Sequence, residues 1–263
     1  MSSPVPTTMS RTDLHRKLLA LNLRRLADDL DDFLARATKQ RLPPAGVVEE
    51  FVRLELAERE RRSLERRMKH SRLGRFKPMA DYDWAWPKRI DRDAIEHALS
   101  GQLVSERGNL VLVAAQGLGK TMIARNVVHA TVMAGRSALF VEAAQMLLDL
   151  GGQDSSRTLE RRLRHYARPD LLAIDEIGYL SYDARAADLL FQVVSRRHES
   201  KSTLVTTNLA FSDWPTIFPH ASCLVALIDR LTQHADICLI EGESYRRREA
   251  EAHRKRRATK DEP

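Results

Sequence analysis

The run Ala114-Ala115-Gln116-Gly117-Leu118-Gly119-Lys120-Thr121 has the residue types and spacing to hold a polyphosphate. It matches the Walker A pattern GxxxxGK followed by Ser or Thr at every defined position but the first, where Ala114 replaces glycine. Gly117 and Gly119 let backbone N–H groups curl around phosphate oxygens without Cβ clashes. Lys120 is spaced to reach β- and γ-phosphates and Thr121 to ligate magnesium, while the N-terminus of the following helix favours an anion. Downstream, the apolar strand Leu171-Leu172-Ala173-Ile174 ends in Asp175-Glu176, the Walker B arrangement. Asp175 is placed to hold magnesium and Glu176 to polarise an attacking water as general base. Taken singly, the first run is also a tight strand–helix bend and the second a helix cap. In this order, after strands of one α/β chain, they indicate a nucleoside triphosphatase.

Two further groups keep two readings each. Thr206-Thr207-Asn208 ends an apolar strand, where Asn208 either senses the phosphate and orients water or closes an Asx turn. Asp229-Arg230 lies on the next helix. Arg230 either reaches a neighbouring subunit's γ-phosphate or makes an ordinary ion pair within the fold. The departure at Ala114 turns on backbone conformation. A positive φ there would cost alanine on the order of 1 kcal/mol, whereas a negative φ asks only for room. Weakened rather than abolished nucleotide binding is the expectation.

These residues need a scaffold, and the pattern supplies one. Strand-like runs at Leu110-Ala115, Ser137-Val141, Leu171-Asp175, Thr203-Thr207 and Ile237-Ile240 alternate with helical ones, among them Lys120-Met133 and Ala184-His198. That alternation predicts an α/β fold with a mainly parallel sheet. Upstream, Ser10 and Asp13 read as a capping box. Leu14, Leu18, Leu21, Leu26, Leu30, Phe33 and Ala37 form one helical stripe, and Pro43-Pro44 turns the chain into a second helix near residues 45–69. The expected division is a helical N-terminal domain with basic linker over 1–77, an ATPase domain over 78–248 and a basic tail over 249–263. Trp84 and Trp86, in the segment after the linker, read as packing residues on the linker or the adenine side rather than as base stackers.

Composition bounds the setting. The 263 residues are 43% hydrophobic and 30% charged, which suits a globular chain rather than a disordered one. No apolar run reaches the roughly 20 residues of a membrane helix, the N-terminus lacks the apolar core of a signal peptide, and a cytoplasmic setting is expected. Cys223 and Cys238 alone exclude a disulfide framework, and the histidines lack metal-ligand spacing. The net charge of +7 is unevenly spread. Nine Lys/Arg face two Glu between Arg59 and Lys77, and eight face two between Arg246 and Lys260. Such runs are either solvated faces or attractors of a polyanion such as nucleic acid.

The ordered set AAQGLGKT, LLAIDEIGYL, LVTTNLAFSDW, LIDRLTQHA and EGESYRRR, spanning roughly Tyr82 to Arg248, resembles the IstB-type transposition helper ATPases and, more distantly, the DnaC helicase loader. Both are AAA+ proteins, so the resemblance implies an AAA+ P-loop NTPase domain preceded by a small helical one, with ATP and Mg2+ as its cofactors. It implies a phosphate loop from Gln116 through Gly117, Leu118, Gly119 and Lys120 to Thr121, with Met122 beside it. Thr121 and Asp175 would hold the metal and Glu176 would be the catalytic carboxylate. Asn208 would be the first sensor, Arg230 an arginine finger acting across a subunit interface, and Arg246 a second sensor. The family assembles as ATP-dependent oligomers on duplex DNA and presents it to an IstA-type transposase. A helicase loader and a non-hydrolysing, nucleotide-gated DNA adaptor are the alternatives.

Overall fold

A computed structural model of the chain describes residues 9–179, 182–245 and 247–248. It divides into two compact units, 1–66 and 67–263. The division falls inside a helix, upstream of the 77/78 boundary expected from the break at Gly74–Pro78. Residues 67–77 group with the second unit, where Arg125 donates to the carbonyls of Leu73 at 2.6 Å and Arg75 at 3.1 Å. Asn126 Nδ2 donates to the Lys77 carbonyl at 2.9 Å.

The first unit contains α1 (Arg11–Ala20), α2 (Arg24–Asp28), α3 (Leu30–Lys39) and most of α4 (Pro44–Ser71). Ser10 caps α1 by accepting from the Asp13 amide. The single long helix expected across Leu14 to Ala37 is instead three. Asn22 adopts φ +58°, a left-handed turn that asparagine tolerates better than most side chains, and Leu23 N donates back to the Leu18 carbonyl. Buried Glu55 on α4 then accepts from the Leu26 amide at 2.8 Å, taking up one of the orphan donors the break creates. Leu18, Leu26, Leu30 and Phe33 pack with Val47, Phe51 and Leu54, so the apolar stripe survives although the helix does not.

In the second unit, α5 (Arg92–Ser100) and α6 (Gln102–Ser105) precede β1 (Asn109–Ala114), α7 (Lys120–Met133), β2 (Ala138–Glu142), α8 (Ala143–Gly151), α9 (Ser156–Ala167) and β3 (Leu171–Ile177). Then follow α10 (Ala184–Arg197), β4 (Ser202–Thr207), α11 (Trp214–Ile217), α12 (Leu224–Thr232) and β5 (Ala235–Ile240). The five strands form one sheet in the order β2-β3-β4-β1-β5, and every pairing is parallel. Strands such as LVLVA and LLAI are apolar throughout because helices cover both faces. Leu172, Ile174 and Val205 join one core with Met146, Leu163, Leu190, Val193 and Leu227 from α8, α9, α10 and α12. On the other face α7 packs along the strands and against α5.

Buried Arg197 pins the N-terminal edge of this sheet. Its guanidinium donates to the carbonyls of Ala167 and Pro169, each at 2.9 Å, and to that of Ser202. Burial pulls its pKa down to about 9, which leaves it charged at neutral pH. The opposite, C-terminal edge is where β1, β3 and β4 release the motif residues, as expected for ligand sites in open parallel sheets.

Candidate nucleotide site

The phosphate loop leaves β1 and enters α7 directly, with Lys120 the first helical residue. Gly117 and Gly119 take φ +81° and +87°, left-handed conformations that turn successive amides into one concavity. There is no room for a side chain at either. A Cβ on Gly117 would stand 2.1 Å from Ser244 Oγ, and one on Gly119 2.6 Å from the Tyr82 ring. Ala114 closes β1 opposite Ile240, is buried, and is absent from the positive-φ residues. Its methyl therefore needs only space, which the packed strand provides. Lys120 Nζ donates to the carbonyls of Ala114 at 2.6 Å and Ala115 at 2.9 Å, folded over its own loop.

Asp175 is 2% exposed, and its Oδ1 accepts from Thr121 Oγ1 at 3.3 Å and from Thr206 Oγ1 at 2.5 Å. Glu176 follows with φ +62° and an exposed side chain, and its amide donates to Thr206 Oγ1 at 2.9 Å. The pairing of β3 with β4 slips here. Ile174 opposes Val205 and Ile177 opposes Thr207, so Asp175 and Glu176 together face Thr206. This is a β-bulge, which kinks a strand and re-aims its side chains.

Gln116, Gly117, Leu118, Gly119, Lys120, Thr121 and Met122 line one side of a cleft of about 590 Å³, into which Glu176 and Asn208 also face. Across it stand Arg75, Lys77, Tyr82, Trp86 and Tyr245. Tyr82 donates its hydroxyl to the Leu118 carbonyl at 3.2 Å, and burial pushes its phenol up to about 12. Trp86 Nε1 donates to the Glu243 carbonyl at 2.8 Å, and the Tyr245 amide to that of Gly117 at 2.9 Å. Arg248 stacks over the Trp86 ring at 4.3 Å. Trp84 sits edge-on to Tyr82, with Arg92 over its other face at 4.9 Å. Both tryptophans are thus packing residues, and Trp86 packs at the cleft.

The remaining expected residues lie elsewhere. Arg230 is absent from the cleft lining. From α12 it stacks over Phe191 at 4.5 Å and donates to the Ser195 hydroxyl, both on α10. Arg246 lies outside the described residues, as does the basic tail. The sequence pattern names Thr206 only as part of the polar strand end Thr206-Thr207-Asn208, with the role given to Asn208, and gives no nucleotide-site role to Tyr82, Tyr245, Arg75 or Lys77. The aromatic run from Tyr82 to Trp86 was the available signal for one side of the cleft. Within that polar end a threonine also suits a strand by β-propensity, so nothing in spacing separates Thr206 from its neighbours.

The donors present suit a magnesium–nucleotide pair. A threonine hydroxyl and a buried carboxylate are hard oxygen ligands for an ion that takes its remaining ligands from phosphate and water. The two left-handed glycines and the lysine at a helix N-terminus suit the phosphates. A parallel sheet in this strand order, with a phosphate loop after β1 and an acid pair on β3, defines a P-loop ATP-binding domain of the AAA+ type.

Residues 16–253 match the model of the IstB-like ATP binding protein family, and the chain belongs to that family. It is 30% identical over 237 residues to the protein named for ATP binding in insertion sequence IS232 of Bacillus thuringiensis subsp. berliner, covering 90% of this chain and 95% of the relative. The same identity over 237 residues links it to the corresponding protein of insertion sequence IS21 of Pseudomonas aeruginosa, with 90% and 89% covered. Among solved structures, DnaI superposes with a TM-score of 0.51 at 16% identity, over 62% of this chain and 90% of that one. At that identity the likeness speaks for the fold alone. Among the described residues no helix is long and apolar enough to cross a membrane.

Proposed function

We propose that this chain is an ATP-dependent transposition helper that assembles on duplex DNA, hydrolyses ATP and delivers the DNA to an IstA-type transposase. The observation that carries the reading is the meeting of the phosphate loop, Glu176 and Asn208 around one cleft, with buried Asp175 bonded to the loop's Thr121 behind it. Relatives named after insertion sequences favour a transposition helper over a helicase loader.

The chemistry follows from the side chains. Backbone amides of Gln116 to Gly119 and the N-terminus of α7 bind the phosphates, and Lys120 exchanges its loop carbonyls for the β- and γ-phosphate oxygens. Thr121 and Asp175 are the residues that would hold Mg2+, which when bound offsets charge on the phosphates. Glu176 takes the proton of the attacking water as general base, while Asn208 donates to and orients the γ-phosphate end. Arg230, released from Phe191 and Ser195, completes a neighbour's site across a subunit interface, with Arg246 as a second sensor on the same chain. The basic runs from Arg59 and Arg246 follow the DNA backbone, and the setting of this work is the cytoplasm.

Replacing the carboxylate by a carboxamide of the same shape removes the base and separates binding from hydrolysis. Glu176→Gln should bind ATP normally, lose turnover by about 10²–10⁴-fold and accumulate as an ATP-bound DNA complex. Nucleotide titration, phosphate release and a DNA-binding assay read the three effects. A Glu176→Gln protein that turns over at the wild-type rate, or a wild type that binds no ATP, would sink the reading.

A further inference from the structure

The bulge on β3 sets Asp175 and Glu176 against a single residue of β4, Thr206, and that side chain is fully buried. Its hydroxyl has one proton and lone pairs to spend. A carboxylate only accepts, so the proton goes to Asp175 Oδ1 at 2.5 Å. The oxygen is then left to accept from the Glu176 amide at 2.9 Å. No other orientation of the hydroxyl satisfies both neighbours.

What this bond holds is an unfavourable conformation. Glu176 sits at φ +62°, a region that costs a non-glycine residue and persists only where surrounding structure over-determines it. Side chains alternate along a strand, so relaxing this peptide toward extended geometry would swing the carboxylate off the face it now presents. Thr207, the next residue, is spent elsewhere: its Oγ1 accepts from the Leu209 amide and donates to the Leu209 carbonyl. Asp175 Oδ1 meanwhile also accepts from Thr121 at 3.3 Å, so one carboxylate oxygen joins the phosphate-loop threonine to the hydroxyl that sets Glu176.

The geometry assigns Thr206 as the positioning residue of the general base: its hydroxyl clamps the Glu176 peptide in the left-handed conformation that aims the carboxylate into the nucleotide cleft. Thr206 touches no substrate and acts through Glu176. The assignment rests on the ATPase reading above and adds to it the part that aligns the base.

Two substitutions isolate the hydroxyl. Thr206→Val keeps the β-branched shape in the strand and removes the donor and acceptor; Thr206→Ser keeps the hydroxyl and removes a methyl. Full-length protein of each kind is compared with wild type by ATP titration, by phosphate release at saturating ATP, and by hydrogen exchange at the Glu176 amide without nucleotide. The expected result for Val is kcat lower by about a hundredfold, the scale on which misplacement of a catalytic group acts. ATP affinity should stay within a few-fold, Glu176 amide exchange should quicken, and Ser should restore both kcat and protection. A Val variant with wild-type kcat, or one that loses ATP affinity while kcat holds, overturns the assignment. If wild-type protein binds ATP but does not hydrolyse it, the ATPase reading fails and the exchange measurement judges Thr206 alone. Protection lost in Val and regained in Ser then supports the clamp, and equal exchange in all three proteins refutes it.

Discussion

A methyl group is enough to decide whether the phosphate loop can form. At Gly117 it would meet Ser244 Oγ at 2.1 Å on a residue whose φ is +81°, so both space and backbone refuse it. Gly117→Ala should therefore weaken ATP binding at least tenfold and lower stability by about 1–2 kcal/mol, read by nucleotide titration and thermal melting. Ala114 offers the contrast. It lies in β1 without positive φ, so Ala114→Gly should change ATP affinity by only a few-fold while costing about 0.5–1 kcal/mol of strand stability. Equal affinity for Gly117→Ala and wild type, or tightening by several hundredfold in Ala114→Gly, would contradict this account. At this scale the glycines, Lys120 and the acid pair were legible, because residue type and spacing encode their chemistry. Thr206 was not, because its role depends on a bulge between strands far apart in sequence. Tyr82 and Tyr245 come to the loop from opposite ends of the second unit, a closeness that spacing cannot express.

The strand that carries the acid pair is also held at its other end. Asp170, just before β3, accepts from the Ser137 amide at 3.0 Å and its hydroxyl at 2.7 Å, and pairs with Lys201 ahead of β4. These contacts tie the starts of β2, β3 and β4 together. Burial raises the carboxyl's pKa, but the bonds from Lys201 and Ser137 outweigh it and hold the group down at about 2. Because the folded value lies below the unfolded one of about 3.9, Asp170 contributes stability that is complete above that pH and is lost as pH falls toward 2. Asp170→Asn should cost about 1–2 kcal/mol at pH 7 and flatten the acid limb between pH 4 and 2 in denaturant melts, after allowance for partial exposure. An unchanged acid limb would show that the tie contributes nothing. The five strands were legible as apolar runs, and α7 was expected at the residues it occupies. The three-way division of the first helical stretch was not, although the stripe steps five residues from Leu21 to Leu26 across Asn22, where an unbroken helix would step three or four. What stops the helix is a left-handed turn, with buried Glu55 taking the Leu26 amide from α4.

At the scale of the whole molecule, the basic stretch and the nucleotide cleft meet within the second unit. Arg75 and Lys77, the end of the run that begins at Arg59, line the cleft itself. The backbone beside them is gripped by Arg125 and Asn126 on α7, the helix that starts at Lys120. A polyanion drawn to this stretch would lie next to the phosphate loop, which is the physical ground for expecting DNA to alter turnover. Charge distribution left a solvated face and a polyanion partner both open in the sequence; the reach of Arg75 and Lys77 into the cleft needed the fold. The most direct test of the central claim is ATP turnover by the purified full chain with and without duplex DNA, with Lys120→Ala alongside. Turnover should rise when DNA is added and vanish in Lys120→Ala. Absence of turnover in wild type under both conditions, despite bound ATP, would contradict it and leave a nucleotide-gated adaptor in its place.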